Sequence, residues 1–531
     1  MSDFVANFSG FSCPDWLTPH HFAGMLRGIE KEGLRVLADG HLAKTFHPKK
    51  LGSKLTHPFI TTDYAENLLE LITEPKSTPK DTLAMLRQLH VLVYQALPDD
   101  ELMWPLSMPC MKSANDEDIP LADYGSSNSG RLKTLYRSGL GIRYGRRMQA
   151  IAGLHYNLSF GDDLFSRWLA EENKQNDAEG SQDDNLLADF KNDKYLGLIR
   201  NFKRLTSLVL YLLGASPSVC ASFVEGRHHD LELLNERTYY KPFATSLRMG
   251  KLGYTNSVQE SLDIRYNHLP EYVAGLRRAI QTPHDSFKAL GLEDDRGEPI
   301  QINDHILQIE NEFYSPIRPK QITERGEAPT EALERRGIAY VEFRAIDLDP
   351  YSDIGIRLSS ACFLEVMALY CLLSDSPLLL PAEEEELAVN VERVVNQGRL
   401  EGLQILADGK DLPLQAWMLA HLTQMQPLAA LLDAHHGGND YRTAIALMQG
   451  KAGHSDSTLS AQVIDDSKRL GGMWQLGATL ANQHKQSLLK QTLSPKDQAK
   501  YEVLVEKSVL QQTELEAADT EDFKNFLQQY R

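Results

Sequence analysis

Four stretches of this chain alternate between apolar and polar side chains with a period of two, and that alternation constrains the fold most. Arg27–Arg35 (RGIEKEGLR) sends Glu30 and Glu32 out of one face and Ile29 out of the other, with Arg27 and Arg35 beside them. Gly153–Ser159 (GLHYNLS) places His155, Asn157 and Ser159 opposite Leu154, Tyr156 and Leu158. Leu307–Tyr314 (LQIENEFY) groups Gln308, Glu310, Glu312 and Tyr314. Ile338–Ile346 groups Glu342 with Arg344, opposite Val341 and Phe343. Strands of this kind predict an antiparallel sheet covered on one side by helices. A single such face could simply meet water. Together, faces of Glu, His, Asn and Arg predict a concave wall for hard cations and a polar substrate, because unpaired buried charge is costly.

Thr61–Thr73 (TTDYAENLLELIT) adds further acids. Asp63 and Glu70 differ by an odd number, so a regular strand would separate them. They converge only through a helix, a bulge or a turn. Glu70 sits within the apolar run LLELIT and reads as a ligand, whereas Glu66 fits solvent equally well.

The 531 residues, 42% of them apolar, can bury a large core. Lys plus Arg is 55 and Asp plus Glu is 73, giving 55 − 73 = −18. That excess of acid argues against nonspecific binding to nucleic acid or an anionic membrane, but leaves room for a local basic pocket. The cysteines, Cys13, Cys110, Cys220, Cys362 and Cys371, are scattered and form no CxxC pair, as expected of reduced thiols in a cytoplasmic protein. The start, MSDFVANFSG, lacks the pattern of a signal peptide. Leu208–Val224 is apolar but interrupted by Pro217, and reads as core rather than a membrane span.

To about residue 375, short strands mix with helices and loops. Glu171–Asn185 reads as a polar excursion between two helices, and Thr323–Glu331 as another loop. From about residue 376 the spacing turns helical over Glu383–Val395, Leu414–His435, Ser460–Leu470, Leu476–Leu488 and Asp497–Ala517. Gly437-Gly438 stops one helix and Ser494-Pro495 starts another. The pairs His228-His229 and His435-His436 read as loop or surface residues, since neighbours in sequence point in different directions. Neither a GxxxxGK[ST] loop nor a GxGxxG fingerprint occurs, so any ATP here is held without a P-loop. Carboxylates that chelate magnesium are the alternative.

Several blocks in order make the chain resemble the proteobacterial glutamate–cysteine ligase family. They are RGIEKEGLR, TTDYAENLLELIT, WPLSMPC (104–110), YGSSNSGRLKTLYR (124–137), GLHYNLS, LGASPSVC (213–220), PFATSLR (242–248), LQIENEFYSPIRPK (307–320) and VEFRAIDLDP (341–350). The likeness runs from about residue 20 to about residue 360 and returns at Glu514–Thr520. The chain departs from the family pattern at Lys31 and Gly33, where Arg and Thr are expected; both point away from Glu30 and Glu32.

The resemblance implies an α+β fold, a glutamine-synthetase-like, curved, mainly antiparallel sheet forming a cup covered by helices, with a mostly helical C-terminal part. It implies one unit over residues 1–531, with the catalytic sheet in about 1–375. It implies ATP-dependent ligation of the L-glutamate γ-carboxylate to the L-cysteine α-amine through an acyl phosphate, the first step of glutathione biosynthesis. By the same resemblance Glu30, Glu32, Asp63, Glu70, His155 and Glu342 hold magnesium, with manganese also suited to an imidazole ligand. Arg344, Arg137 and Arg248 serve the transferring phosphate and the substrate carboxylates. Tyr136 and Tyr240 enclose cysteine, Asp63 and Arg344 also meet substrate, and Asn157, Asn311 and Lys320 lie near the nucleotide. A monomer is implied as well. The competing readings are a relative that uses a different amine, a non-catalytic sensor, and a metal phosphohydrolase.

Overall fold

Period-two alternation does become the centre of the molecule. The computed structural model describes residues 11–112, 115–175, 184–253, 257–260, 262–324 and 326–531. The start that argues against a signal peptide, residues 1–10, lies outside the described residues. The main strands are β1 (Leu26–Leu37), β2 (Ile60–Thr62), β3 (Leu68–Ile72), β4 (Glu101–Met103) and β5 (Leu154–Ser159). A small separate sheet follows, β6 (Ser218–Cys220), β7 (Glu232–Asn235) and β8 (Thr238–Tyr240). Then β9 (Ile317–Lys320) and β10 (Tyr340–Ile346) complete a seven-stranded sheet of order β2-β3-β1-β5-β10-β9, with β4 on the end of β1. Each pairing in it is antiparallel.

Register brings the polar residues together. Glu30 stands opposite His155, Glu32 opposite Glu70, and Glu342 opposite both Asn157 and Arg318. The other face of the sheet, with Ile29, Leu154, Tyr156, Leu158, Val341 and Phe343, is fully buried. Helices Asp184–Leu213 and Leu358–Leu373 cover it, and Phe202 meets Phe343 with ring centroids 4.8 Å apart. One apolar cluster continues from this layer into the C-terminal helices.

Arg27 and Arg35 follow the same parity into the core, away from the acids beside them in sequence. Arg27 is clamped by Glu365, Nε to Oε1 at 2.7 Å and Nη2 to Oε2 at 3.0 Å. Arg35 Nη1 donates to Glu101 Oε2 at 2.9 Å. Both arginines hold the sheet to its surroundings. Glu66 is likewise buried rather than solvated, paired with Lys54 and accepting the His47 N–H at 2.7 Å.

The departure at Lys31 and Gly33 has a steric basis. Lys31 is buried, and burial pushes its ammonium down to about 8. A Cβ on Gly33 would stand 2.7 Å from Met103 Cε and 2.9 Å from Lys31 Nζ, so the glycine leaves room for the lysine. Gly33→Thr is expected to destabilise the protein by about 1–3 kcal/mol through overpacking. A thermal melt checks it, and an unchanged midpoint would contradict it.

Three expectations need correction. Leu307–Tyr314 is not a strand but contains a 3-10 turn at Glu310–Glu312. Its acids bond to backbone instead of lining a ladder: Glu312 Oε2 accepts the Gln308 N–H at 2.6 Å and Glu310 Oε2 accepts the Thr330 N–H at 2.8 Å. Leu414–His435 is two helices, Leu414–Gln424 and Gln426–His436, because Pro427 lies in the first turn of the second. The loop at Thr323–Glu331 is shorter than expected, since a helix starts at Pro329. In Glu171–Asn185 the flanking helices run on to Gln175 and from Asp184; residues 176–183 lie outside the described residues.

The helical C-terminal part also reaches the sheet domain. In the last turn of helix Pro495–Ala518, Glu516 Oε1 accepts the Ser126 N–H at 3.0 Å, and just beyond the helix the Asp519 carboxylate accepts the Asn128 N–H. These acids cap helix Asn128–Tyr144, which carries Tyr136 and Arg137. That contact gives a physical role to the isolated likeness at Glu514–Thr520. No helix among the described residues is long and apolar enough to cross a membrane.

Candidate active site

The polar face of the sheet floors a cavity of about 820 Å³. Glu30, Glu32, Asp63, Glu70, His155, Glu342, Tyr136, Arg137, Arg248, Asn311, Lys320 and Arg344 all line it. Asp63 and Glu70 converge because β2 and β3 form a hairpin: Thr61 pairs with Glu70, and the Asp63 N–H bonds to the Leu68 carbonyl at 2.9 Å. Gly153 leaves space for Arg248, since a Cβ there would run into its guanidinium.

Two predicted residues stand elsewhere. Asn157 does not line the cavity; its Nδ2 donates to Glu30 Oε1 at 2.8 Å and so orients that carboxylate. Tyr240 lies on β8 of the small sheet, half-buried under the Lys468 ammonium at 5.5 Å, and is not in the cavity wall.

Glu30, His155 and Glu342 form the centre, with one ligand atom of each within 4.8 Å of the others. His155 Nδ1 lies 3.3 Å from Glu30 Oε2 and 3.5 Å from Glu342 Oε1, and its Nε2 is 3.8 Å from Glu32 Oε1. Arg344 Nη1 donates to Glu342 Oε1 at 3.1 Å. Glu342 Oε2 is buried without a hydrogen-bond donor; the Lys320 ammonium stands 3.7 Å away. An orphaned carboxylate oxygen beside further acids and an imidazole is a donor set suited to a hard divalent cation. Neither histidine pair from the sequence joins a metal-type cluster among the described residues.

The acids are held in different states. Burial pushes Asp63 up to about 6, helped by Glu32. Burial, then the charges of Asp63, Glu30 and Glu32, raise Glu70 well above the usual carboxylate range. For Glu342, burial is outweighed by Lys320, Arg344 and His155, and its carboxyl is held far below that range. Burial likewise opposes ionisation of Glu30, but the hydrogen bond from His155 keeps it low. Opposed shifts among neighbouring acids mark a site arranged to exchange charge with a ligand.

Several residues of the cavity wall escaped the sequence reading. Arg318 lines the cavity, buried, its Nη2 donating to the Asn311 carbonyl at 3.1 Å. It shares a face with Lys320 two residues on, so the same parity could have found it. Arg143 and Tyr144 meet Glu312 on the opposite wall, at 3.3 and 2.5 Å from Oε1. Their convergence depends on the turn at Glu310–Glu312, which carries no periodic signal.

A cupped antiparallel sheet sets an acid cluster against Arg344, Arg137, Arg248 and Arg318, an arrangement suited to phosphoryl-transfer chemistry on anionic substrates. The family model for glutamate-cysteine ligase matches residues 17–394. The chain is 44% identical over 513 residues to the glutamate–cysteine ligase of Alcanivorax borkumensis, covering 96% of each chain. It is 44% identical to that of Azotobacter vinelandii, covering 95% of this chain and 94% of the relative. Among solved structures it resembles glutamate–cysteine ligase from Francisella tularensis in complex with AMP, with TM-score 0.87, 36% identity and 95% and 97% of the two chains covered. A bifunctional glutathione synthetase from Pasteurella multocida matches with TM-score 0.68 and 26% identity over 92% of this chain and 56% of that one. This chain belongs to the glutamate–cysteine ligase family.

Proposed function

We propose that the cavity binds ATP, L-glutamate and L-cysteine and that its acid cluster and arginines carry out their ligation. The reaction is ATP-dependent joining of the glutamate γ-carboxylate to the cysteine α-amine, the first step of glutathione biosynthesis; family membership over nearly the whole chain carries this reading. The γ-carboxylate attacks the γ-phosphorus of ATP, ADP leaves, and the resulting acyl phosphate is attacked by the amine with loss of phosphate. Such chemistry needs positioning and charge stabilisation more than covalent help.

In this reading Glu30, His155 and Glu342 hold a divalent cation, with Glu32, Asp63 and Glu70 beside them. A magnesium or manganese ion held by these residues would supply charge neutralisation for the ATP phosphates. Arg344, fixed by Glu342, faces the transferring phosphoryl group or the glutamate carboxylate. Arg137 and Arg248 anchor anions on the walls, Arg248 against Asp347 at 3.6 Å. Tyr136 walls the cysteine position and Asp63 faces its amine. Asn311 and Lys320 lie on the nucleotide side, and Asn157 acts only through Glu30. Tyr240 takes no substrate contact here. The whole chain works as one catalytic unit, since residues 516 and 519 cap the helix that bears Tyr136 and Arg137. We assign it as a cytoplasmic monomer; the five free cysteines support a reducing compartment.

ADP release by the purified protein with ATP, magnesium, glutamate and a panel of amines tests the substrates. Rapid release is expected with cysteine and little without any amine. Faster release with another amine would make the chain a relative of different specificity, and equal release without an amine would make it a phosphohydrolase.

The acid states predict a pH dependence. Asp63 and Glu70 bind protons more tightly than ordinary carboxyls, and a cation needs them ionised. The thermal shift produced by magnesium therefore grows as pH rises through about 6. A shift that stays constant from about pH 5 to about pH 8 would remove these two acids from the cation site.

A further inference from the structure

A second apolar cluster, separate from the main one, backs the active-site cavity. Its buried members are Leu135, Ile302, Phe523 and Leu527, and Leu132, Tyr136, Ile309 and Phe526 pack against them partly buried. Leu132, Tyr136, Ile302 and Ile309 also border the cavity. One side of this cluster is therefore cavity wall. Its other side, Phe523, Phe526 and Leu527, comes from the short helix Phe523–Leu527 near the end of the chain.

That chain end is fastened to both segments that carry the wall. On helix Asn128–Tyr144, Asn128 Nδ2 donates to the Glu521 carbonyl at 2.9 Å, and the Arg131 guanidinium lies 4.1 Å from the centroid of the Phe523 ring. On the segment that carries Ile302 and Ile309, the Gly297 carbonyl accepts from the Lys524 ammonium at 2.9 Å. There too, Asn303 Nδ2 donates to the Tyr530 carbonyl at 2.9 Å, and Arg531 Nε to that of Ile302 at 3.3 Å. The two segments are also joined directly through Gln308. Its Nε2 donates to the Tyr136 carbonyl at 3.2 Å, and its Oε1 accepts the Ile302 N–H at 3.1 Å. A close-packed backing of this kind does not let the wall retreat, so an added methylene in the space before it meets overlap.

We propose that Phe523 and Leu527 are positioning residues that set the size of the side chain accepted on the amine substrate, an inference that rests on the reading that Tyr136 walls the cysteine position. They touch no substrate. They act by holding Leu132, Tyr136, Ile302 and Ile309 in place from behind. Three aliphatic side chains beside one tyrosine suit a short, weakly polar side chain, and the rigid backing excludes a longer one.

ADP release with L-2-aminobutyrate and with L-norvaline, which differ by one methylene and carry no thiol, tests this. The parent protein should prefer L-2-aminobutyrate. Phe523→Ala should lower that preference, as a ratio of kcat/KM, by on the order of tenfold, while the KM for ATP stays near the parental value. Phe523→Leu, which refills most of the space, should restore most of the preference. Met448→Ala, which loosens the main cluster instead, should leave the ratio unchanged. If Phe523→Ala does not fold, Leu527→Val removes one methylene from the same cluster and should move the ratio in the same direction. A parent without the preference, an unchanged ratio in the folded variants, or an equal loss in Met448→Ala would overturn the proposal. If the parent still releases ADP with cysteine, that failure belongs to this proposal alone; a parent with no amine-dependent release would overturn the reading of the site as well.

Discussion

Glu342→Gln is expected to lose ligase turnover by about two to three orders of magnitude while unfolding close to the parent temperature. Glu342 is 1% exposed, and one carboxylate oxygen has no hydrogen-bond donor. Its charge is balanced within the cavity by Lys320, Arg344 and His155. An amide of the same shape preserves packing but removes the charge that fixes Arg344 and that the proposed cation site needs. Glu30→Gln should behave alike, because its carboxylate bonds His155 and Asn157 on the same floor. Steady-state ADP release and a thermal melt on each variant separate the readings. Near-parental turnover in both would mean that the acids are structural.

The second large effect is on stability. Glu365 is fully buried in helix Leu358–Leu373 and accepts from Arg27, from Tyr156 at 2.6 Å and from Tyr441 at 2.7 Å. Glu365→Ala leaves the Arg27 guanidinium charged, since this group cannot shed its proton, inside an apolar layer. The expected cost is about 3–5 kcal/mol. Arg27→Met combined with Glu365→Leu should recover most of that loss, because a buried ion pair contributes little net stability over well-packed apolar groups. Melts of the single and double variants measure it. A single variant within about 1 kcal/mol of the parent would show that water reaches the pair.

Much of the fold was legible because period two is a local signal. Residue parity placed Glu30, Glu32, His155, Glu342 and Arg344 on one face, and the register aligned those faces. The same rule, applied to Arg27 and Arg35, would have sent them to the core, where Glu365 and Glu101 hold them. Asp408-Gly409 is also a local signal, both residues in the left-handed region between the strands β11 (Gln404–Ala407) and β12 (Lys410–Pro413). What sequence could not supply is long-range contact. Leu307–Tyr314 alternates like a strand, yet its acids satisfy backbone N–H groups nearby and the ladder begins only at Ile317. The meeting of Phe523 with Leu135, and of Asp519 with Asn128, likewise depends on how distant segments dock. The position of Tyr240 depends on long-range docking too, since its strand belongs to a different sheet.

The central claim is that Glu30, His155 and Glu342 hold the cation that serves the ATP phosphates. Anomalous diffraction from crystals grown with ADP and manganese tests it most directly. A manganese peak about 2.0–2.6 Å from a carboxylate oxygen of Glu30 and of Glu342, with the ADP phosphates beside it, is the predicted result. A manganese peak elsewhere, with His155 still within hydrogen-bonding reach of Glu30 and no phosphate near Arg344, would contradict it.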